Sequence, residues 1–340
     1  MVKINAGQGP DRMSPLAWAA RYGRYELCEW LLSRKARTLS KDKFKRTPLM
    51  LAVKNGHVRV ASLLLRHGSE WDHADSSSNT VLHYAAAFGW KECIDLLLKH
   101  GANVNAANMW KITPITVAML KNHQGIVKEL LKRDEIDVNG KDEDGRTLLT
   151  MAIEDLSDHT VFDFIKFLLE KGADATVTDT NGDTLLHRLA SYNKHWRGYQ
   201  TYYGPDAKLY HQRIALEKKT LVKVTEYLIE KGAPLNALNS KKETAFAIAL
   251  GKENDCILET LSASVKLSEA PSLFFAFKTK IFDDRYKSLL LKLIRRESQT
   301  SKNFINTLDS EGFTPFLAYV QSFVESHDSL MNSVQRELDY

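Results

Sequence analysis

The chain has 340 residues, 44% hydrophobic and 26% charged, with a formal net charge of +5. Those proportions exclude a disordered or collagenous chain, and no run approaches the roughly 18 uninterrupted apolar residues of a membrane-spanning helix. Three cysteines, an odd and sparse set, exclude a disulfide scaffold and point to a reducing compartment, so a cytoplasmic or nuclear location is expected.

The start, Met1-Val2-Lys3-Ile4-Asn5, has no apolar core of the kind a secretory signal needs, and none is expected. The first predicted helix pair follows Ser14, with helix one over Pro15 to Tyr22 and helix two over Tyr25 to Ser33. It leaves through Arg34-Lys35-Ala36, whereas later pairs leave through Gly-Ala, as at Gly101-Ala102, or a close variant. Three regular units come next, at about 39 to 71, 72 to 104 and 105 to 138. Each opens on a threonine, Thr47, Thr80 and Thr113, set at one constant interval and in step with Ser14. A Ser or Thr at this point offers its side-chain oxygen to the unpaired N–H groups of the first helical turn, and the proline that often follows has no N–H to leave unpaired. Leu49, Ala52 and Val53, like Leu82, Ala85 and Ala86, repeat at three- and four-residue spacing and predict the buried face. Gly23, Gly56 and Gly89 stand where helix one must stop and reverse. Five residues before each Thr stands an Asx, Asp42, Asp75, Asn108, Asp142, Asp179, Asn239 or Asp309, predicted to cap a turn rather than to do chemistry.

Unit five starts at Thr147 and carries four extra residues near Asp158 to Val161. Unit six starts at Thr184, but its second helix is predicted only from Val222, so a long surplus over the repeat length falls within Tyr192 to Thr220. That insertion, placed at 192–219, is rich in aromatics, among them Trp196, Tyr199, Tyr202 and Tyr203, which are candidates for a partner contact. Unit seven starts at Thr244; unit eight, around Leu273 and Leu289, is degenerate; the last restarts at Thr314-Pro315-Phe316. The chain stops at Tyr340 inside a predicted helix, which leaves room for a longer protein.

A period of 33 with the pattern Thr-Pro-Leu-His-x-Ala, seen most fully at Thr80-Val81-Leu82-His83-Tyr84-Ala85, resembles the ankyrin repeat family over nearly the whole chain. The resemblance implies an all-α solenoid of stacked helix pairs with short β-turn fingers, about nine repeats in all. Residues 1–268 are expected to hold repeats one to seven, and 269–340 the degenerate C-terminal repeats and cap. His83 and His187 fall on the histidine register of the motif, where the ring is expected to bridge neighbouring turns. Cys28, Cys93 and Cys256 lie on second helices and are expected to be buried free thiols.

No phosphate loop, dinucleotide fingerprint, zinc spacing or nucleophile elbow is present, so neither catalysis nor a cofactor or metal is expected. Recognition remains. Ankyrin proteins present their partners with a concave surface of finger tips and inner-helix ends, which here maps onto Arg21, Tyr22, Lys43, Phe44, Arg46, Lys54, Phe88, Met109, Trp110 and Ile112. Aromatics, Met and Arg are the residues interfaces favour, so a monomeric scaffold is expected to take an acidic or aromatic-anchored protein segment across repeats one to four. Two alternatives stay open. The chain bears some similarity to ankyrin regions of tankyrase-like ADP-ribosyltransferases and could be the targeting region of such an enzyme. The basic segment from Arg34 to Arg46, with Lys35, Arg37, Lys41, Lys43 and Lys45, could contact nucleic acid phosphates, although a solvated face is the reading preferred. Asn139, in Asp137-Val138-Asn139, resembles asparagines modified by ankyrin hydroxylases.

Overall fold

The computed structural model describes residues 4–7, 9–154, 156, 160–192 and 207–264. Among these residues the chain forms fourteen helices and no strand, with isolated antiparallel bridges, Ala74 to Thr80 and Thr178 to Thr184, across the fingers. It divides into two compact units, Met1–Asp144 and Gly145–Tyr340. The first holds α1 (Pro15–Arg21), α2 (Tyr25–Ser33), α3 (Pro48–Lys54), α4 (Val58–Arg66), α5 (Val81–Phe88), α6 (Lys91–Lys99), α7 (Pro114–Leu120) and α8 (Gln124–Leu130). The second holds α9 (Leu148–Glu154), α10 (Val161–Glu170), α11 (Leu185–Ser191), α12 (Ala207–Glu230), α13 (Ala245–Lys252) and α14 (Asp255–Ser264).

A helix of so few turns is too short to stand alone in water, and side-by-side packing supplies what it lacks. In the first unit α1, α3, α5 and α7 pack in sequence, with α2, α4 and α6 in a parallel row; in the second, α9, α11 and α13 do the same beside α10, α12 and α14. The third residue of each repeat motif, Leu16, Leu49, Leu82, Ile115, Leu149, Leu186 or Phe246, is fully buried, and Ala19, Ala52, Ala85, Ala118 and Ala249 lie three further on where helices touch. The predicted caps form: Ser14, Thr47, Thr184 and Thr244 accept from the backbone N–H three residues on. Thr113 does not; its hydroxyl lies 3.0 Å from Thr116 Oγ1.

Two expectations need correction. The first repeat lacks the glycine exit in sequence but keeps it in structure: Lys35 takes the left-handed φ of 62° that Gly68 (78°) and Gly101 (85°) take one and two repeats later. Ala36 N–H then reaches Leu31 O as Ala102 N–H reaches Leu97 O. Lysine there stores strain that glycine would not, so Lys35→Gly is expected to raise the stability of the first unit by roughly 1 kcal/mol, read from chemical denaturation. The second correction concerns repeat six. Its outer helix begins at Ala207, well before Val222, so the described part of the insertion is a helical extension. The polar run that hid it is held internally: Glu217 is buried and takes Arg213 at 3.3 Å one turn away. Trp196, Tyr199, Tyr202 and Tyr203, and the repeats expected over 269–340, lie outside the described residues.

Candidate recognition surface

Each finger is built round its Asx. Asp42 Oδ1 accepts from Phe44 N–H (2.9 Å) and Arg46 N–H (2.8 Å); Asp75 Oδ1 accepts from Ser77 and Asn79 N–H, both at 2.8 Å. Asn108 Oδ1 does the same for Trp110 and Ile112 at 3.0 Å, Asp179 for Asn181 and Asp183, and Asn239 for Lys241 and Glu243. The other carboxylate oxygen is also taken: by Arg46 in the first of these fingers, Tyr84 OH (2.7 Å) in the second, and Arg188 in the finger of Asp179. Successive fingers are tied tip to tip, Lys43 N–H to Asp11 O, Ser76 N–H to Phe44 O, Met109 N–H to Ser77 O. The fingers are therefore a rigid frame, and the side chain two residues after the Asx is what it displays.

His83 does what its register predicts. Thr80 N–H donates to Nδ1 (3.1 Å), which leaves Nε2–H to donate to Ile112 O (2.9 Å) in the next finger. Burial lowers its pKa, in keeping with an Nδ1 that accepts rather than donates. His187 repeats the arrangement onto Glu243 O across the insertion. A second set of bridges escaped the sequence reading: His57 Nε2 meets Arg21 O, Trp90 Nε1–H donates to Lys54 O and His123 Nε2 meets Ala87 O, each ring packed on the glycine of the preceding repeat. The signal was there, in an aromatic or imidazole ring that returns once per repeat, but His, Trp, His does not repeat as a letter.

The candidate recognition residues fall into two groups. In the first, Arg21 closes α1 with its guanidinium 5.6 Å from the ring of Tyr22, and Tyr22 lies 4.6 Å from Trp18. Lys43 (4.8 Å) and Arg46 (4.6 Å) flank the Phe44 ring, and Lys54 closes α3, in the same register as Arg21. The second group is Met109 and Trp110 at the tip of the next finger but one, 55% and 43% exposed. Ile112 is half-buried and serves that finger chiefly through its backbone; Phe88 ends α5, 44% exposed, in the register of Tyr22. Arg46 is more a frame residue than a display residue, since its guanidinium holds the buried Asp42 carboxylate at 2.6 Å. Sequence reasoning missed Asp11, whose carboxylate binds Lys43 (2.6 Å) and faces Arg21 (3.7 Å). It sits one repeat length before Phe44, a finger-tip position ahead of the first legible motif. Asn139 is exposed, its N–H donating to Asp137 Oδ1.

The cysteines show no activated thiol among the described residues. Burial pushes Cys28 and Cys93 up to about 11 and raises Cys256, which is half-buried rather than buried as expected. A thiol held protonated at neutral pH is a poor nucleophile. In the basic segment, Arg34 stacks on Trp30 at 3.9 Å, and Lys43 and Arg46 are paired with carboxylates.

A family model of ankyrin repeats matches residues 16–108 and 106–179. The chain is an ankyrin repeat protein. Such repeats are generally protein interaction modules. A tankyrase of Caenorhabditis elegans, a poly(ADP-ribose) polymerase, is 34% identical to this ankyrin repeat protein over 254 residues, covering 72% of it. The chain spans only 11% of the length of that relative. The solved ankyrin repeat domain of Bcl-3, described as a unique member of the IkappaB family, superposes with a TM-score of 0.57 at 22% identity, over 74% of this chain and 99% of that one. That likeness shows the fold. No described helix is long and apolar enough to cross a membrane.

Proposed function

We propose that this ankyrin repeat protein is a non-catalytic scaffold that captures a protein segment across the fingers and inner-helix ends of repeats one to four. The observation that carries the reading is the display of Phe44, Met109, Trp110, Tyr22 and Phe88, all substantially exposed, on a frame whose polar groups are already satisfied. Large apolar side chains gathered on one face mark binding surfaces, and the adjacent cations favour an acidic or aromatic-anchored partner. In affinity capture with the full chain, Phe44→Ala combined with Trp110→Ala is expected to weaken partner binding at least about 30-fold, the scale of paired hot-spot losses. Trp30→Ala on α2 serves as the control and leaves capture intact. Equal capture by the double variant and the parent chain would refute the assignment.

The similarity to a tankyrase over a small part of that enzyme supports a second reading, in which this scaffold is the targeting region of a larger ADP-ribosyltransferase. A full-length transcript encoding a transferase module beyond Tyr340 would support it, and a stop codon directly after Tyr340 would remove it.

A further inference from the structure

The first two repeats gather four cations, Arg21, Lys43, Arg46 and Lys54, around two carboxylates, Asp11 and Asp42. Both carboxylates are committed. Asp42 is buried in its finger and holds Arg46, and Asp11 bridges Lys43 and Arg21. Lys54 is left with no ion pair among the described residues. It stands seven residues after Thr47 as Arg21 stands seven after Ser14, on helices α3 and α1, which pack directly together. Desolvation, and then the charges of Arg46 and Arg21, hold the Lys54 ammonium below the usual lysine range. A partly dehydrated ammonium beside two guanidiniums is a group that an incoming oxyanion stabilises. Apolar surface lies close on both sides: Tyr22 and Trp18 next to Arg21, and Phe44 next to Arg46.

We infer that Lys54 and Arg21 form an oxyanion subsite for an acidic side chain of the bound segment, whose aromatic or apolar neighbour packs on Tyr22 or Phe44. Asp11 is the resident competitor, holding Arg21 and Lys43 until the ligand carboxylate replaces it. The inference rests on the face being a peptide-binding surface and adds which charge it reads and what it must displace.

The test is selection of a random dodecapeptide library on the full chain, followed by affinity measurement of the selected peptides as synthetic probes. Selected peptides are expected to carry Asp or Glu within a few residues of an aromatic. Lys54→Met, or Lys54→Gln should the first fold poorly, is expected to weaken them about tenfold, as is replacing the peptide Glu by Gln, in line with close charge pairs at interfaces. Asp11→Asn is expected to tighten them about threefold by removing the competitor. A phosphoserine peptide is the second arm: binding it more tightly than the Glu peptide would identify a phosphoryl group as the source of the oxyanion and overturn the carboxylate assignment. Peptides without acidic residues that are lost with Phe44→Ala and Trp110→Ala, or acidic peptides indifferent to Lys54, would overturn the subsite and leave the recognition surface standing. Peptides insensitive to every one of these substitutions, or no selected peptide at all, would overturn both.

Discussion

Replacing Asp75 with alanine is expected to destabilise the first unit by about 3 kcal/mol, because four half-buried donors lose their acceptor at once. The Asp75 side chain, itself buried, takes Ser77 N–H and Asn79 N–H on one oxygen and Tyr84 OH, with Asn79 Nδ2–H, on the other. Water reaches some of these groups in the fingers, so the expected loss is well below the sum of fully buried orphans. Asp75→Asn is expected to be mild, under about 1 kcal/mol, since the amide oxygen can still accept from both backbone groups. The chain contains that experiment already: Asn108 and Asn239 hold their fingers with an amide oxygen in the same place. Repeat arrays do not always unfold in one step, so amide exchange at Ser77 and Asn79 is the sharper readout. Faster exchange in the alanine variant and near-normal exchange in the asparagine variant is the expected pattern. Equal exchange in both would show that the carboxylate does not organise the finger. The loss also reaches recognition, because the second finger ties Phe44 to Met109 through Ser76 N–H to Phe44 O and Met109 N–H to Ser77 O.

The frame was legible in sequence because it is a repeated solution to one problem. Thr, Leu, Ala, Gly and Asx recur at fixed spacing since each satisfies the same turn or the same buried contact in every repeat. What recurs as geometry without recurring as residue type was not legible. Lys35 takes a glycine's backbone conformation, and His57, Trp90 and His123 make one bridge with two chemistries. The start of α12 at Ala207 was hidden for a related reason, as its burial rests partly on a paired glutamate rather than on an apolar stripe. The recognition surface was legible only in outline. Exposed cations on turns look alike as letters, yet Arg46 is committed to Asp42, Lys43 to Asp11, and Lys54 is left without an ion pair among the described residues. Asp11 precedes the first complete motif and so belonged to no pattern, although it neutralises the edge of the surface that matters. In each case the missing information is which group a side chain is already bound to, and that is fixed by folding across repeats.

Gly56→Val is expected to be at least as damaging as loss of the finger carboxylate, by about 3 to 4 kcal/mol, because two separate faults coincide. The glycine has φ +74°, where a β-branched residue is strained by roughly 2 kcal/mol. A Cβ there would also stand 2.9 Å from Trp90 Cε2, closer than packed atoms tolerate. The ring cannot simply withdraw, since Trp90 Nε1–H donates to Lys54 O at 3.4 Å and the ring ties repeat three onto repeat two. The two faults separate in a double-mutant cycle with Trp90→Ala. Against an alanine background the clash disappears and only the backbone strain remains, so the valine should then cost about 2 kcal/mol. A valine equally costly in both backgrounds would place the whole effect in the backbone and deny the ring its role as a bridge. That role matters beyond stability. The carbonyl that Trp90 holds belongs to Lys54, so a displaced ring loosens the end of α3 and with it the ammonium of the proposed subsite. Peptide affinity at the Lys54 subsite is therefore expected to fall in Gly56→Val even at temperatures where the unit remains folded, and to fall further than in Asp75→Ala, whose expected loss of stability is similar.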